Sequence, residues 1–166
     1  MALSSDSNSL LSLDSLQHLK QARVAIVCTE WNDAIVAEQK AGAYTILNAC
    51  GATCVAEYTV PGAFEIPFAC QQIAQQADDK APEAIITFGA VIRGGTPHFE
   101  YVCQALVSGI ADLNVRMPIP IIFGVLTLNT EAEAWERLGG VHGHKGAEAA
   151  IAALKMIQFN RTISNR

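Results

Sequence analysis

Apolar residues along the chain form short, β-branched runs that alternate with longer stretches of helical periodicity. The runs have the composition of buried strands and cover residues 23–28, 53–60, 84–92 and 119–126. The predicted helices cover residues 32–50, a segment from Pro61-Gly62 to about residue 77, a segment after the third strand, a short helix begun by a Thr130/Glu133 capping box, and residues 146–160. Asn32 is expected to cap the first helix.

This alternation predicts the fold class. Strands that are apolar throughout are typical of a parallel sheet with helices on both faces, an α/β architecture. In such a sheet, ligands bind beyond the carboxyl ends of the strands. Those ends are residues 29–32, 60–65, 91–98 and 126–130. We therefore expect the chemistry of the protein to lie in these segments.

Residues 91–98 carry the most specific local pattern. Two glycines follow a buried strand, and then come Thr96 as an expected cap and Pro97 as an expected first helical residue. Exposed N–H groups at a helix start attract anions, and glycines let a phosphate approach the backbone closely. The pattern is not that of a nucleotide P-loop. It indicates either a phosphate site or an ordinary strand-to-helix turn.

His98 and Glu65 each allow two interpretations. The helix N-terminus disfavours a charged imidazole at His98, whereas a bound phosphate favours it, and such a balance suits a proton shuttle. The alternative for His98 is a surface histidine at a helix start. The Glu65 carboxylate either holds substrate hydroxyl groups or stabilises the N-terminus of its own helix.

Two further side chains and one histidine pair are candidates. Trp31 either stacks on a planar ring or packs on its own helix. Arg137 either grips a phosphate with its planar fork or pairs with a helix dipole. His142 and His144 have an H-x-H spacing, but no second cluster of ligands accompanies them in the sequence. We therefore expect no metal site.

Composition adds an expectation about assembly and location. Of the 166 residues, 51% are hydrophobic and only 16% are charged, against the usual ~25%. So few charges favour a homo-oligomer over a monomer. The net charge of −5, without any basic run, gives nucleic-acid binding no electrostatic basis. No apolar stretch reaches the ~18 residues of a membrane span, and no secretory signal is recognisable. The expected location is the cytoplasm, with no membrane partner.

Two other features concern the domain plan. The 5 cysteines are odd in number and form no C-x-x-C motif, so neither a disulfide framework nor a zinc knuckle is expected. Residues 1–21 are rich in serine interleaved with leucine, which predicts a flexible start followed by a short docking segment. Residues 22–166 are expected to form a single domain.

Several segments together resemble the lumazine synthase family, in order and at matching spacing over residues 23–160. They are Trp31-Asn32, VPGAFEIPFA at 60–69, FGAVIRGGTPHFEYV at 88–102, IIFGVLT at 121–127 and ERLGG…HKGAEAA within 136–150. Each motif is weak alone, but the combination is specific. The resemblance implies a flavodoxin-like, three-layer α/β/α fold with a four-stranded parallel sheet. It also implies pentamers, which in some members form icosahedral shells of about sixty subunits.

The resemblance further implies an activity and an active site between neighbouring subunits. The reaction condenses 5-amino-6-(D-ribitylamino)uracil with 3,4-dihydroxybutan-2-one 4-phosphate, releases phosphate and water, and forms 6,7-dimethyl-8-ribityllumazine. No metal or organic cofactor is implied. A riboflavin-binding or storage homologue with weak turnover is the alternative, motivated by the large indole of Trp31, and a purely structural shell protein is a third hypothesis.

The same resemblance gives each site residue an expected role. Trp31 stacks on the ring, and His98 moves protons. Asn32, Ala63, Phe64 and Glu65 are expected to hold the ribityl chain and frame the ring, and the backbone of Val91 and Ile92 to meet the pyrimidine edge. Gly95, Thr96 and Arg137 are expected to bind phosphate, and Phe123, Arg137 and Lys145 to come from the adjacent subunit. The expected catalytic residues are His98, Arg137 and Lys145.

Three departures from the family pattern concern the ring site, the catalytic turn and the assembly. Trp31 stands where phenylalanine is usual, and Pro97 precedes the histidine where other residues are commoner. The loop at 141–144 also differs from the usual sequence. Because this loop lies where pentamers would meet, the altered sequence bears on shell formation rather than on catalysis.

Overall fold

A four-stranded parallel sheet forms the centre of the computed structural model, which describes residues 16, 19, 21–76 and 81–164. The strands of the chain are β1 (Arg23–Thr29), β2 (Thr53–Val60), β3 (Ala84–Phe88), β4 (Ala90–Ile92), β5 (Ile121–Phe123), β6 (Leu126–Leu128), β7 (Leu138–Gly140) and β8 (Gly143–His144). The central sheet has the order β2-β1-β3-β5, and each neighbouring pair is parallel. Strands β4 and β6 form a second parallel pair, and β7 and β8 form a hairpin.

Helices cover both faces of this sheet. They are α1 (Asp33–Ala49), a 3-10 turn (Ala63–Glu65), α2 (Ile66–Ala74), α3 (His98–Arg116), α4 (Ala132–Glu136) and α5 (Lys145–Ser164). Alternate residues of β1 point to opposite faces, so Val24 and Ile26 pack in one core with α1 and α5, while Ala25 and Val27 pack in another with α2 and α3. The expected flavodoxin-like, three-layer α/β/α fold is confirmed.

Two of the predicted strands are interrupted by glycine. The run 84–92 breaks at Gly89, and the run 119–126 breaks at Gly124 and Val125. A Cβ at Gly124 would lie only 2.5 Å from the carbonyl oxygen of Thr87, so only glycine fits this approach of two backbones. Beyond the breaks, β4 and β6 pair with each other, and this pair carries Val91 and Ile92 at the site edge of the sheet.

Strand β2 is an edge strand, and the expectation that every strand is apolar throughout is wrong for it. Its residues alternate between exposed and half-buried along the full length of Thr53–Val60. Among the described residues, β1 is the only strand that pairs with it in the central sheet. Glu57 lies on the exposed face of β2, where it forms an ion pair with Lys40 of α1 at 3.0 Å.

Helix starts differ from the predictions where tertiary contacts compete with capping. Asn32 precedes α1 in a left-handed conformation with φ 59°, but its side chain makes no capping bond. Thr130 does not cap α4 either: the helix begins at Ala132, and the Glu133 carboxylate accepts the N–H of Asn129 at 2.9 Å. At α3, Pro97 takes the cap position assigned to Thr96, and no side chain caps the helix.

The start of the chain contributes to the core through two leucines. Leu16 and Leu19 are buried in the cluster formed with α1 and α5. The rest of the predicted docking segment and flexible start lies outside the described residues. Within the described part of the chain, none of the helices combines the length and the apolar character that crossing a membrane requires.

Candidate active site

A cavity of about 810 Å³ opens at the carboxyl ends of β1, β2 and β4, beside the start of α3. Its walls are formed by the loops after β1 and β2, by strand β4 and by the start of α3. Eight of the predicted site residues line it, namely Trp31, Asn32, Ala63, Phe64, Glu65, Val91, Ile92 and His98. The structure therefore brings most of the sequence-based site together in one space.

The loop after β1 holds an aromatic ring at the rim of this cavity. The indole of Trp31 is 73% exposed, so the ring does not pack into its own helix. Thr29 fixes the turn, because its buried hydroxyl donates to the carbonyl oxygen of Trp31 at 3.2 Å. The side-chain amide of Asn32 donates to the carbonyl oxygen of Ala90 at 2.8 Å, which ties this loop to β4. The indole is thus presented on a fixed backbone.

The loop after β2 contributes a free carboxylate. Glu65 ends the 3-10 turn and occupies the cap position of α2, but its side chain makes no capping hydrogen bond. One carboxylate oxygen lies 3.2 Å from where a Cβ at Gly62 would stand, so glycine leaves room for it. Phe64 beside it is 62% exposed. The carboxylate and the phenyl ring are both accessible to a ligand in the cavity.

The loop after β4 is open and rich in backbone donors. Added Cβ atoms at Gly94 and Gly95 would meet no heavy atom within 4 Å. A smaller cavity of about 290 Å³ lies on this loop and is lined by Gly95 and Thr96 among others. His98 is the first residue of α3 and lines the larger cavity. One short turn thus joins Gly95 and Thr96, which are predicted to bind phosphate, to His98, the predicted proton shuttle.

Three predicted residues lie elsewhere on the chain. Phe123 and Lys145 line a different cavity, of about 300 Å³, formed by the break between β5 and β6 and by α5. Arg137 follows α4 and donates to the carbonyl oxygen of Glu133 at 2.9 Å. The N–H of Asn129 holds the pKa of the Glu133 carboxyl below its usual range. A single chain therefore carries the predicted residues in two separate groups.

Sequence reasoning missed several residues of these cavities. Glu148 lies beside Lys145, whose ammonium group is 2.8 Å from each carboxylate oxygen. Their spacing of three positions on one helix was the available signal. The larger cavity also includes residues that were assigned no role, namely Thr29, Pro61 and Gly62 within the predicted strand-end segments, and Ala90 and Val102 outside them.

The histidine pair of the β7–β8 hairpin divides between two carboxylates. Nε2 of His142 lies 3.9 Å from Glu136, and Nε2 of His144 lies 3.5 Å from Glu38. Among the described residues, no group of three or more histidines, cysteines or carboxylates is placed to hold a metal ion. The imidazole of His144 packs against Gly42 of α1, where no side chain could be accommodated.

Comparison with known proteins identifies the family. The model of the 6,7-dimethyl-8-ribityllumazine synthase family matches residues 21–161. A 6,7-dimethyl-8-ribityllumazine synthase of Flavobacterium psychrophilum is 41% identical over 94% of this chain and 82% of its own length. Synthases of the same name are 45% identical in Kineococcus radiotolerans, over 86% and 87% of the two chains, and 43% identical in Porphyromonas gingivalis, over 86% and 88%. The chain therefore belongs to the 6,7-dimethyl-8-ribityllumazine synthase family and is an enzyme of riboflavin biosynthesis, a transferase.

Proposed function

We propose that the chain forms 6,7-dimethyl-8-ribityllumazine from 5-amino-6-(D-ribitylamino)uracil and 3,4-dihydroxybutan-2-one 4-phosphate in the cavity at the carboxyl ends of β1, β2 and β4. The observation that carries this site is the convergence of the loops after β1 and β2, strand β4 and the start of α3 on one space of about 810 Å³. That space offers an exposed ring, a free carboxylate and a histidine together. These groups match a planar heterocycle, a polyhydroxy chain and a proton-transfer step respectively.

The proposed roles follow from the position of each group. Trp31 stacks on the pyrimidine ring, whose polar edge meets backbone groups of Val91 and Ile92. Glu65 accepts hydrogen bonds from ribityl hydroxyl groups, next to Asn32, Ala63 and Phe64. Because these residues lie on two loops and one strand of a single fold, they orient the pyrimidine amine before the second substrate reacts.

The open turn after β4 is the proposed phosphate site. Gly95 and Thr96 are exposed just before α3, and their N–H groups make no hydrogen bond within the described residues, so they are available to an anion there. The amine attacks the substrate ketone, and water leaves as the Schiff base forms. Phosphate is then eliminated to leave a carbonyl group, and the ribityl-bearing nitrogen closes the second ring at that carbonyl with loss of a second water. His98, which begins α3 two positions after Thr96, supplies and removes protons during these steps.

Phe123, Arg137 and Lys145 complete the site from a neighbouring subunit in this proposal. They lie apart from the cavity that holds His98, so a single chain has an incomplete set of groups. Large apolar side chains on α2 and α3 are exposed, including Phe68 at 70% and Tyr101 at 68%. Such exposure is expected of a surface that a partner covers. A ring of five subunits repeats one such heterologous contact and closes.

Mixing inactive chains tests the shared site. His98→Ala and Arg137→Ala chains are unfolded together in equal amounts, reassembled and assayed for lumazine absorbance. A site built from two chains is intact at about a quarter of the positions, so activity returns to about a quarter of the wild-type value. Arg137→Ala chains reassembled with the His98→Ala/Arg137→Ala double variant are the control and stay inactive. Absence of recovery in the first mixture, with rings formed, would place both residues in one chain's site.

Assembly beyond the ring and cellular location are parts of the same proposal. The β7–β8 hairpin has a short turn with Val141 86% exposed, and its compactness leaves room for pentamers to pack into an icosahedral shell. Light scattering separates a free pentamer from a shell by mass.

A cytoplasmic location is supported by the 5 cysteines, all of which are free thiols. Fractionation of cells against a cytoplasmic marker tests it.

A further inference from the structure

Arg93 occupies the junction between β4 and the open turn that leads to His98. Its backbone N–H donates to the carbonyl oxygen of Leu128 at 2.8 Å, which fixes the start of the turn to the end of β6. From this fixed point the side chain reaches groups on both sides of the turn. The turn itself comprises Gly94, Gly95, Thr96 and Pro97.

The guanidinium group of Arg93 makes three different contacts. Its Nε donates to the side-chain oxygen of Asn129 at 3.1 Å, in the segment after β6. One terminal nitrogen forms an ion pair with Glu100, in the first turn of α3. Its central carbon lies 4.2 Å from the ring centroid of Phe99, which directly follows His98. The hydrogen bond from Arg93 holds the pKa of the Glu100 carboxyl below its usual range.

The turn has little else to hold it in place. Cβ atoms at Gly94 and Gly95 would touch nothing, and the amides of Gly94, Gly95 and Thr96 make no hydrogen bond within the described residues. The amide groups proposed to bind phosphate are therefore on a segment without packing of its own. The Arg93 side chain spans it and joins the residues on either side.

We infer that Arg93 is a positioning residue, which fixes the phosphate-binding turn and the first turn of α3 so that His98 and the phosphate amides keep a constant separation. This inference rests on the function proposed above. Arg93 also lines the smaller cavity on this turn, but its charge is paired with Glu100 and its Nε is bonded to Asn129, so the inference assigns it positioning rather than phosphate binding. A planar guanidinium can hydrogen-bond at its edge and stack on Phe99 at the same time, which the point charge of lysine cannot reproduce.

The test compares Arg93→Ala, Arg93→Lys and Glu100→Gln by steady-state kinetics on both substrates. Arg116→Ala is the matched control, since Arg116 lies at the other end of α3 in an exposed ion pair with Asp112 at 2.8 Å. We expect Arg93→Ala to lower kcat by about 10–100-fold through misplaced groups. It should also raise KM for the sugar phosphate several-fold and leave the Kd of the pyrimidine unchanged. Arg93→Lys should recover little, and the control should resemble wild type.

Glu100→Gln separates positioning from direct phosphate binding. If Arg93 positions the turn, loss of its partner reproduces part of the Arg93→Ala defect. If Arg93 binds phosphate itself, removal of the competing carboxylate leaves or improves binding of inorganic phosphate, which overturns the inference. Circular dichroism and a melting temperature within a few degrees of the control establish that each variant is folded.

His98→Ala and Thr96→Val distinguish failure of this inference from failure of the proposed function. Wild-type kinetics for Arg93→Ala together with impaired Thr96→Val and His98→Ala would overturn only the positioning role. Wild-type turnover by His98→Ala would overturn the proposed site, and the positioning role with it. Equal loss of binding for both substrates in Arg93→Ala would indicate a general structural role and would also overturn the inference.

Discussion

The side-chain nitrogen of Asn32 lies 2.8 Å from the carbonyl oxygen of Ala90 and joins two walls of the cavity that are far apart in sequence. The amide is directed to this bond rather than to the helix that follows it, and the backbone of Asn32 accepts a φ of 59° to make it. Asparagine tolerates the left-handed region better than most residues. The bond sets the distance between the loop that carries Trp31 and strand β4.

Replacing this donor by an acceptor should loosen the cavity. Asn32→Asp places a carboxylate oxygen against the carbonyl oxygen of Ala90, so we expect a loss of stability of about 1–3 kcal/mol and weaker pyrimidine binding. Asn32→Gly keeps the backbone conformation without the bond and serves as the comparison. Denaturant unfolding and pyrimidine titration measure the two effects. An Asn32→Asp protein as stable as wild type would show that the bond contributes nothing.

His98→Ala should slow turnover without preventing binding. A positioned proton-transfer group is worth about 10²–10⁴-fold, and we expect the low end because amines add to ketones readily without catalysis. Rates at saturating substrate, with Kd values from titration, separate the two effects. An unchanged rate at saturation would remove the imidazole from the mechanism.

Arg137→Ala should weaken binding of the sugar phosphate far more than binding of the pyrimidine. A guanidinium recognises phosphate through parallel hydrogen bonds that alanine cannot replace, and the pyrimidine carries no phosphate. Separate titrations of each substrate measure the difference. The Arg116→Ala variant controls for the loss of one positive charge, and an equal effect of Arg137→Ala on both ligands would contradict the assignment.

Trp31 should report ligand binding by fluorescence. An indole that is 73% exposed at the cavity rim is quenched when riboflavin or the lumazine product stacks on it. Trp135 is 44% exposed and adds a background signal, so the titration is best done in a Trp135→Phe protein. Trp31→Ala should abolish most of the quenching. Persistent quenching in that variant would mean that another ring contacts the ligand.

Glu83 should make stability depend on pH in the acid range. Burial would raise the pKa of its carboxyl, but hydrogen bonds from Arg161 and the backbone N–H of Arg23 outweigh this and hold it below the usual 4.5. Because the pKa of Glu83 is lower in the folded than in the unfolded state, its ionised carboxylate stabilises the fold above pH 4.5. This stabilisation is lost as the pH falls through the pKa of the folded state.

Glu83→Gln should therefore cost about 1 kcal/mol at neutral pH, since the arginine partners are partly exposed, and progressively less below pH 4.5. Urea unfolding across this range measures the difference. Asp112→Asn, in an exposed pair with Arg116, provides a control with a smaller effect. A cost independent of pH would assign the effect to packing rather than charge.

The parts of the site that lie at strand ends could be predicted because parallel strands present their carboxyl ends at one edge. Glu65 and His98 needed only the order of elements to be placed near each other. Gly89 and Gly124 could not be identified as strand breaks, because the apolar runs continue across them. The breaks arise from close approach of one backbone to other groups, which local sequence does not encode.

Capping predictions failed for a related reason. Asn32 and Glu133 have the residue types of helix starts, yet their side chains bond to Ala90 and Asn129 instead. The local capping propensity of a residue competes with hydrogen bonds to tertiary partners, and the sequence pattern reports only the local propensity. Arg93 was overlooked as well, since its partner Asn129 is 36 positions away and nothing in the strand motif points to it.

The division of the predicted residues between two regions of one chain has a thermodynamic consequence. In the proposed ring, a bound ligand contacts two chains at once and so stabilises their association. Any ligand that binds the assembled site but not the separated chains shifts the association equilibrium toward the ring. In that ring, ligand occupancy and subunit association are thermodynamically linked. Bound substrates stabilise the assembly during turnover, and subunits dissociate most readily from the enzyme without ligand.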